Sequence, residues 1–204
     1  MNKIIYAFFI SLILSIAVTA YSDNVQTDLQ DNLTRLHIIA NSDSEADQTV
    51  KLKVRDAALN QIREKINSEN GIENIINELP ELEKTANKTL SENGFNYTAK
   101  ALYGKFDFPQ KTYKNMTLPA GEYYGVRIIL GNGEGHNWWC VLYPPLCTSG
   151  TNTMTLDEKS QKLLHDSLNQ ETYDIITGSD KDIVVKFKAV ELIQELRQKL
   201  KQIK

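Results

Sequence analysis

Hydrophobic positions change period several times along the chain, and each change marks an element. Ile4 to Val18 is an apolar run without Pro or Gly, preceded by a single charge, Lys3, and followed by small residues at Val18-Thr19-Ala20. That order is the layout of a secretory leader, and it predicts a mature chain beginning at Tyr21. An uncleaved N-terminal anchor is the alternative, although the run is short for a full span, which needs about 20 residues. Residues 21–32 are polar and are expected to form an extended linker. Leu33 to Ala40 has strand alternation, with Leu36, Ile38 and Ala40 on one face.

Asn41-Ser42-Asp43-Ser44 is a dense turn signal, and Ser42 with Glu45 has capping-box spacing. A helix is predicted from Glu45 to Asn67, with Val50, Val54, Ala58, Ile62 and Ile66 inward and Lys51, Arg55, Arg63 and Lys65 facing water. Gly71 breaks it. Ile72, Ile75, Ile76 and Leu79 resume helical spacing, and Pro80 kinks the run or opens a new helix. Leu82, Ala86 and Leu90 continue the stripe to Asn93-Gly94, a C-cap signal. From Tyr97 to Tyr103 the period is 2.

Glu122 to Leu130 and Asn137 to Tyr143 are two further strands, and the six-residue loop between them predicts an antiparallel hairpin. Pairing Leu130 with Asn137 puts Tyr124, Val126, Ile128, Trp139, Val141 and Tyr143 on one face. Tyr123, Arg127, Ile129, Trp138, Cys140 and Leu142 then share the other. Both faces are largely apolar, so the hairpin is central and covered on both sides, or one face is a docking surface. Residues 148–181 form a polar insert, expected to be mobile, with a helix around Leu156 to Leu168. Ile183 to Phe187 is expected as a last strand, and Ala189 to Lys204 as an amphipathic helix carrying Val190, Ile193, Leu196 and Leu200. The order predicts a single α+β domain, helices packed on an antiparallel or mixed sheet with a central hairpin. It divides the chain into a leader (1–20), a linker (21–32), a core (33–147), the insert (148–181) and a C-terminal strand and helix (182–204).

Composition narrows the function classes. The chain has 204 residues and a net charge of −3, which becomes −4 once Lys3 is removed with the leader. Near-balanced charge argues against nucleic acid, which wants a basic face. No later segment is apolar enough to span a membrane, so the leader alone crosses it. Cys140 and Cys147 would be redox-active or metal-binding in a cytosolic enzyme. In an exported chain a local disulfide around Pro144 and Pro145 is the default, with free thiols as the alternative.

Candidate chemistry is sparse. Gly131-Asn132-Gly133-Glu134-Gly135 resembles a phosphate loop, but a strand follows it where a helix is required, and Glu134 would repel phosphate. Asp43-Ser44-Glu45-Ala46-Asp47 opens like a calcium loop, yet Gln48 stands where Gly is needed and Val54 where Glu is needed. His136, Cys140 and Cys147 offer a Cys–His pair or three metal ligands. On a strand, residues 136 and 140 lie roughly 13 Å apart, and three ligands without a fourth make a poor structural zinc site. His37 reads as a sheet-surface or satisfied core histidine, and His165 sits in the polar insert. No catalytic residue, metal or cofactor is expected. Gly135 to Cys147 holds both tryptophans, both cysteines and two of the five prolines. Either it belongs to a rigid central hairpin with aromatic packing, or one of the adjacent tryptophans anchors a partner while the other is core. The candidate partner-binding residues are Trp138, Arg127 and His136.

Three stretches resemble the stage II sporulation protein R family of endospore-forming bacteria: Leu36 to Ser44, Val54-Arg55-Asp56-Ala57 and Leu118 to Tyr123. A fourth, Gly135-His136-Asn137-Trp138-Trp139-Cys140-Val141-Leu142-Tyr143-Pro144-Pro145-Leu146-Cys147, is the most specific. The resemblance covers roughly residues 33–147. It implies a non-enzymatic signal secreted from the forespore into the space between forespore and mother-cell membranes. There it would activate a membrane-embedded sporulation aspartic protease that processes pro-sigma-E. Two other readings are an exported hydrolase of cell wall or peptides using Cys140 or His136, and a passive septal scaffold.

Overall fold

The computed structural model describes residues 2–66, 71–113, 116–147, 158–178, 190–197 and 199–200. Its first helix, α1 (Asn2–Asn32), runs unbroken from the apolar leader into the polar residues beyond it. Residues 3–18 are exposed throughout. From Ser22 onward one side is buried, and Val25 and Leu29 join the core. Residues 21–32 are therefore not the extended linker expected from their polarity. Val25, Leu29 and Leu33 recur every four residues, which is enough of a stripe for a helix to bury.

Strand β1 (Thr34–Ile39) leads into the turn at Asn41–Ser44 and then α2 (Glu45–Ile66). The cap is shifted from the expected Ser42–Glu45 pair: Ser44 Oγ accepts from the Asp47 amide at 3.2 Å. Helices α3 (Gly71–Asn77) and α4 (Leu79–Glu92) follow, with Pro80 in the first turn of α4. The predicted stripes of α2 and α4 are all buried. Then come β2 (Ala99–Phe108), β3 (Lys111–Tyr113), β4 (Met116–Leu118), β5 (Gly121–Leu130) and β6 (Asn137–Tyr143). Helices α5 (Glu158–Ser167) and α6 (Gln170–Thr177) occupy the segment expected to be a mobile insert. Leu164, Leu168, Ile175 and Ile176 bury it against the rest. The C-terminal helix, α7, is described at residues 190–197 and 199–200. The expected strand at 183–187 lies outside the described residues.

The domain is α+β, with a mixed four-stranded sheet in the order β2-β5-β1-β6 and a small β3–β4 pair. β1 runs parallel to β5 and antiparallel to β6. The expected pairing of β5 with β6 is thus absent, because β1 lies between them. The six-residue loop is long enough to cross two strand spacings of roughly 4.8 Å each. It is tied over the end of β1, where Gly135 N donates to Ala40 O at 2.9 Å and Asn132 N to Asn41 Oδ1 at 2.9 Å.

Inserting β1 resets which side chains share a face. Leu36 stands level with Val126 and Cys140, and Ile38 with Ile128 and Trp138. That face meets α2, whose Arg55 lies over the Trp138 ring at 5.1 Å. His37 stands level with Arg127 and Trp139 on the opposite face. The outer edge of β2 is closed by side chains of α4. Asn87 bonds both the N–H and the C=O of Ala99, and Glu83 accepts from Ala101 N at 2.9 Å. Such capping keeps an edge from pairing with another chain.

Candidate functional site

Two stretches far apart in sequence meet where the β5–β6 loop crosses the start of α2. Asp43, at the end of the turn, accepts from the His136 amide at 2.6 Å and pairs with the imidazole Nδ1. Those bonds hold the Asp43 carboxyl below its ordinary range, with Lys51 adding to the effect. Lys51 Nζ donates to His136 O at 2.9 Å and to Gln48. Lys51 and Arg55 are buried rather than facing water as their helical positions predicted. Both flank the apolar stripe and turn toward the loop, one to its carbonyl and the other to the Trp138 ring. Burial is the larger influence on Lys51 and lowers its pKa.

Beneath this junction Asp47 fixes the turn. Burial pushes its carboxyl up, but hydrogen bonds from Ser42, Tyr97, Asn41 and Ser44 outweigh that and hold it low. The outer surface is formed by His136, whose side chain is 79% exposed, by Asp43, and by the half-buried Trp138. This combination of a half-buried aromatic ring over a buried guanidinium and an exposed Asp43–His136 contact on a braced loop is suited to docking.

Arg127 does not belong to that surface. On the other side of the sheet its Nε donates to His37 Nδ1 at 3.2 Å, and its guanidinium lies over the Phe106 ring at 3.9 Å. His37 stacks on Trp139 with centroids 3.6 Å apart, and Phe108 meets Trp139 edge-on at 5.0 Å. Arg35, fully buried, lies over Phe108 at 4.4 Å and Tyr123 at 4.9 Å. Its Nη2 meets Tyr113 Oη at 3.5 Å, while Nε and Nη1 have no hydrogen-bond partner among the described residues. Ring faces offset part of the cost of burying a cation. The structure therefore separates the three expected docking residues, keeping His136 and Trp138 together and placing Arg127 with Trp139.

The His37 environment carries a pH signature. Burial pushes its imidazole down from 6.5 to about 4, with Asn137 opposing and Arg127 and Arg35 reinforcing. The unfolded ring takes a proton as pH falls below 6.5, whereas the folded ring resists until about 4. Stability is then full above that window and is expected to fall by about 3 kcal/mol across it. Urea unfolding at pH 7 and pH 4 measures the loss, and His37→Gln should remove this part of the slope.

Cys140 and Cys147 form a disulfide with Cα atoms 6.0 Å apart. Cys140 is fully buried and Cys147 Sγ contacts Val141 O. The bridge leaves no thiolate at Cys140, so a Cys–His hydrolase reading loses its nucleophile. No group of three metal-ligating side chains occurs among the described residues. Replacing both cysteines by Ser should lower stability by about 2–3 kcal/mol, read from urea midpoints.

Sequence reasoning missed Arg35, Lys51, Arg55 and the pairing of Asp43 with His136. Arg55 and Asp43 each stand within a family-like stretch, and Asp43 also belongs to the turn signal and to the calcium-like opening, but nothing in the sequence pairs it with His136.

The model of the family described as stage II sporulation protein R matches residues 30–153. Among curated proteins, "Stage II sporulation protein R" of Bacillus subtilis (strain 168) is 43% identical over 130 residues. That match covers 62% of this chain and 58% of the relative, so under two thirds of the relative's length is represented. No solved structure matches.

Proposed function

Because the chain belongs to the stage II sporulation protein R family, we propose that it is an exported, non-enzymatic signal that activates a membrane-embedded aspartic protease processing pro-sigma-E. The N-terminal apolar helix fits a leader and so supports secretion. Its place of action would be the space between the forespore and mother-cell membranes.

The observation that carries the reading is the junction at His136. The family-like stretches around Asp43, Arg55 and His136 are distant in sequence yet build one surface. A reacting group would need a base and an orienting partner. Here Asp43, Lys51 and Gln48 brace the loop's own backbone and ring, a use of polar groups that shapes a surface for another protein. Activation follows as a population shift: the domain binds the active state of the protease more tightly than the inactive one. A tenfold shift takes about 1.4 kcal/mol of differential binding.

The test adds the purified chain beginning at Tyr21 to vesicles that carry the protease together with pro-sigma-E. Dose-dependent processing is expected, and no processing at saturating protein would overturn the reading. Trp138→Ala should fold, because its ring is half-buried where the core meets Arg55 at the start of β6. It should weaken activation about thirtyfold, the effect of losing roughly 2 kcal/mol at a hot spot. Arg127→Ala, on the opposite face, should weaken it far less. Equal losses from the two variants would move the docking surface elsewhere.

A further inference from the structure

Helix α7 lies beyond the stretch that matches the family. Its inner side is fixed to the start of the domain. Val190 and Gln194 are buried, and Gln194 Nε2 donates to Ser22 Oγ at 3.2 Å. Arg197 grips Asp23 with both terminal nitrogens, Nη2 standing 3.0 Å from Oδ2. The outer side is apolar and open: Leu192 is 57% exposed, Leu196 48% and Leu200 65%. Spacing of four residues puts these leucines in one row.

What faces that row follows from where α7 is tied. The apolar run of α1 closes at Val18, and Ser22 and Asp23 lie roughly 6–8 Å further along the same helix. The headgroup layer on each side of a bilayer is about 5–8 Å deep. While the leader is in the membrane, Ser22 and Asp23 therefore stand at headgroup depth, and α7 is held there with them. Residues 190–204 carry four basic side chains against two acidic, within a chain of net charge −3.

We propose that α7 is a peripheral membrane-binding element that lies in the surface of an anionic bilayer with Leu192, Leu196 and Leu200 inserted. Lys199, exposed beside Leu200, borders the leucine row, and the sequence that follows carries Lys201 and Lys204, a composition that draws anionic headgroups. The element keeps the domain at the surface its leader crossed after the leader has been removed.

The chain beginning at Tyr21 suits the test, since residues 3–18 add nothing to the core. It should co-sediment with vesicles containing phosphatidylglycerol, more weakly with phosphatidylcholine alone, and less as salt rises. Leu192→Ser, Leu196→Ser and Leu200→Ser together should reduce binding at least tenfold with an unchanged unfolding temperature. Lys199→Glu with Lys201→Glu should reduce it roughly tenfold. The proposal is overturned if the parent stays in solution with phosphatidylglycerol vesicles, or if the triple variant pellets as the parent does. It also fails if sedimentation velocity shows a parent dimer that the leucine substitutions dissociate, which would make the row a contact between two copies.

Discussion

Gly135→Ala is expected to destabilise the domain by at least about 3 kcal/mol and to abolish the proposed protease activation in whatever fraction still folds. A Cβ at this position would stand 2.2 Å from Ser42 O and 2.5 Å from its carbonyl carbon. Both are main-chain atoms, and Gly135 N and Glu134 N are bonded to Ala40 O and Asn41 O across the same gap. Neither side can give way without breaking the tie. The loop must lift, taking His136 from Asp43 and its carbonyl from Lys51. Gly94→Ala is the control: its φ of +80° costs an alanine about 1–2 kcal/mol, but nothing lies within 4 Å. Urea midpoints of the two variants should therefore differ, and only Gly135→Ala should fail in the vesicle assay of the proposed activity. Equal midpoints would mean that the loop is free to move off β1.

Trp139→Ala should cost about 3 kcal/mol, the lower end for a large aromatic because the ring is only half-buried. Its removal strips His37 of its stacked partner and Phe108 of an edge contact, and opens the face on which Arg35 is buried. Thermal unfolding should shift strongly for Trp139→Ala and less for Trp138→Ala, whose ring meets the core and the Arg55 guanidinium but stacks on no other ring among the described residues. Matching unfolding temperatures for Trp139→Ala and the parent would show that the stack contributes nothing.

The difference between the neighbouring tryptophans illustrates what could be read in advance. That they point to opposite faces follows from strand geometry alone, and Trp139 was expected inside. Their companions were misassigned because the pairing was taken as local. A Gly-rich six-residue loop after a strand is a hairpin signal, and nothing in its residues records that a strand some ninety positions upstream will slide between its arms. Helices were more legible. Val50, Val54, Ala58 and Ile62 announce their face by spacing, and Leu82, Ala86 and Leu90 do the same. Lys51 and Arg55 were misjudged because charge was read as exposure, whereas their long stems reach a carbonyl and a ring. Arg35 was invisible for the same reason: only the fold supplies the Phe108 and Tyr123 rings that make its burial tolerable. Residues 21–32 were misread as a linker because Val25 and Leu29, which join the core, are outnumbered by polar residues.

The central position of β1 has a consequence for when the domain can form. Its ladder partners on both sides arrive late, with His37 and Arg127 separated by 90 residues. A sheet whose first strand must wait for its last two has high contact order, and closing so long a loop slows folding. In the proposed export, β1 would cross long before β5 and β6, and the sheet could not be completed until residue 143 had followed. Slow closure would then favour the extended form that a translocation channel accepts. Refolding of the chain beginning at Tyr21 should accordingly be slower than that of helical domains of its size.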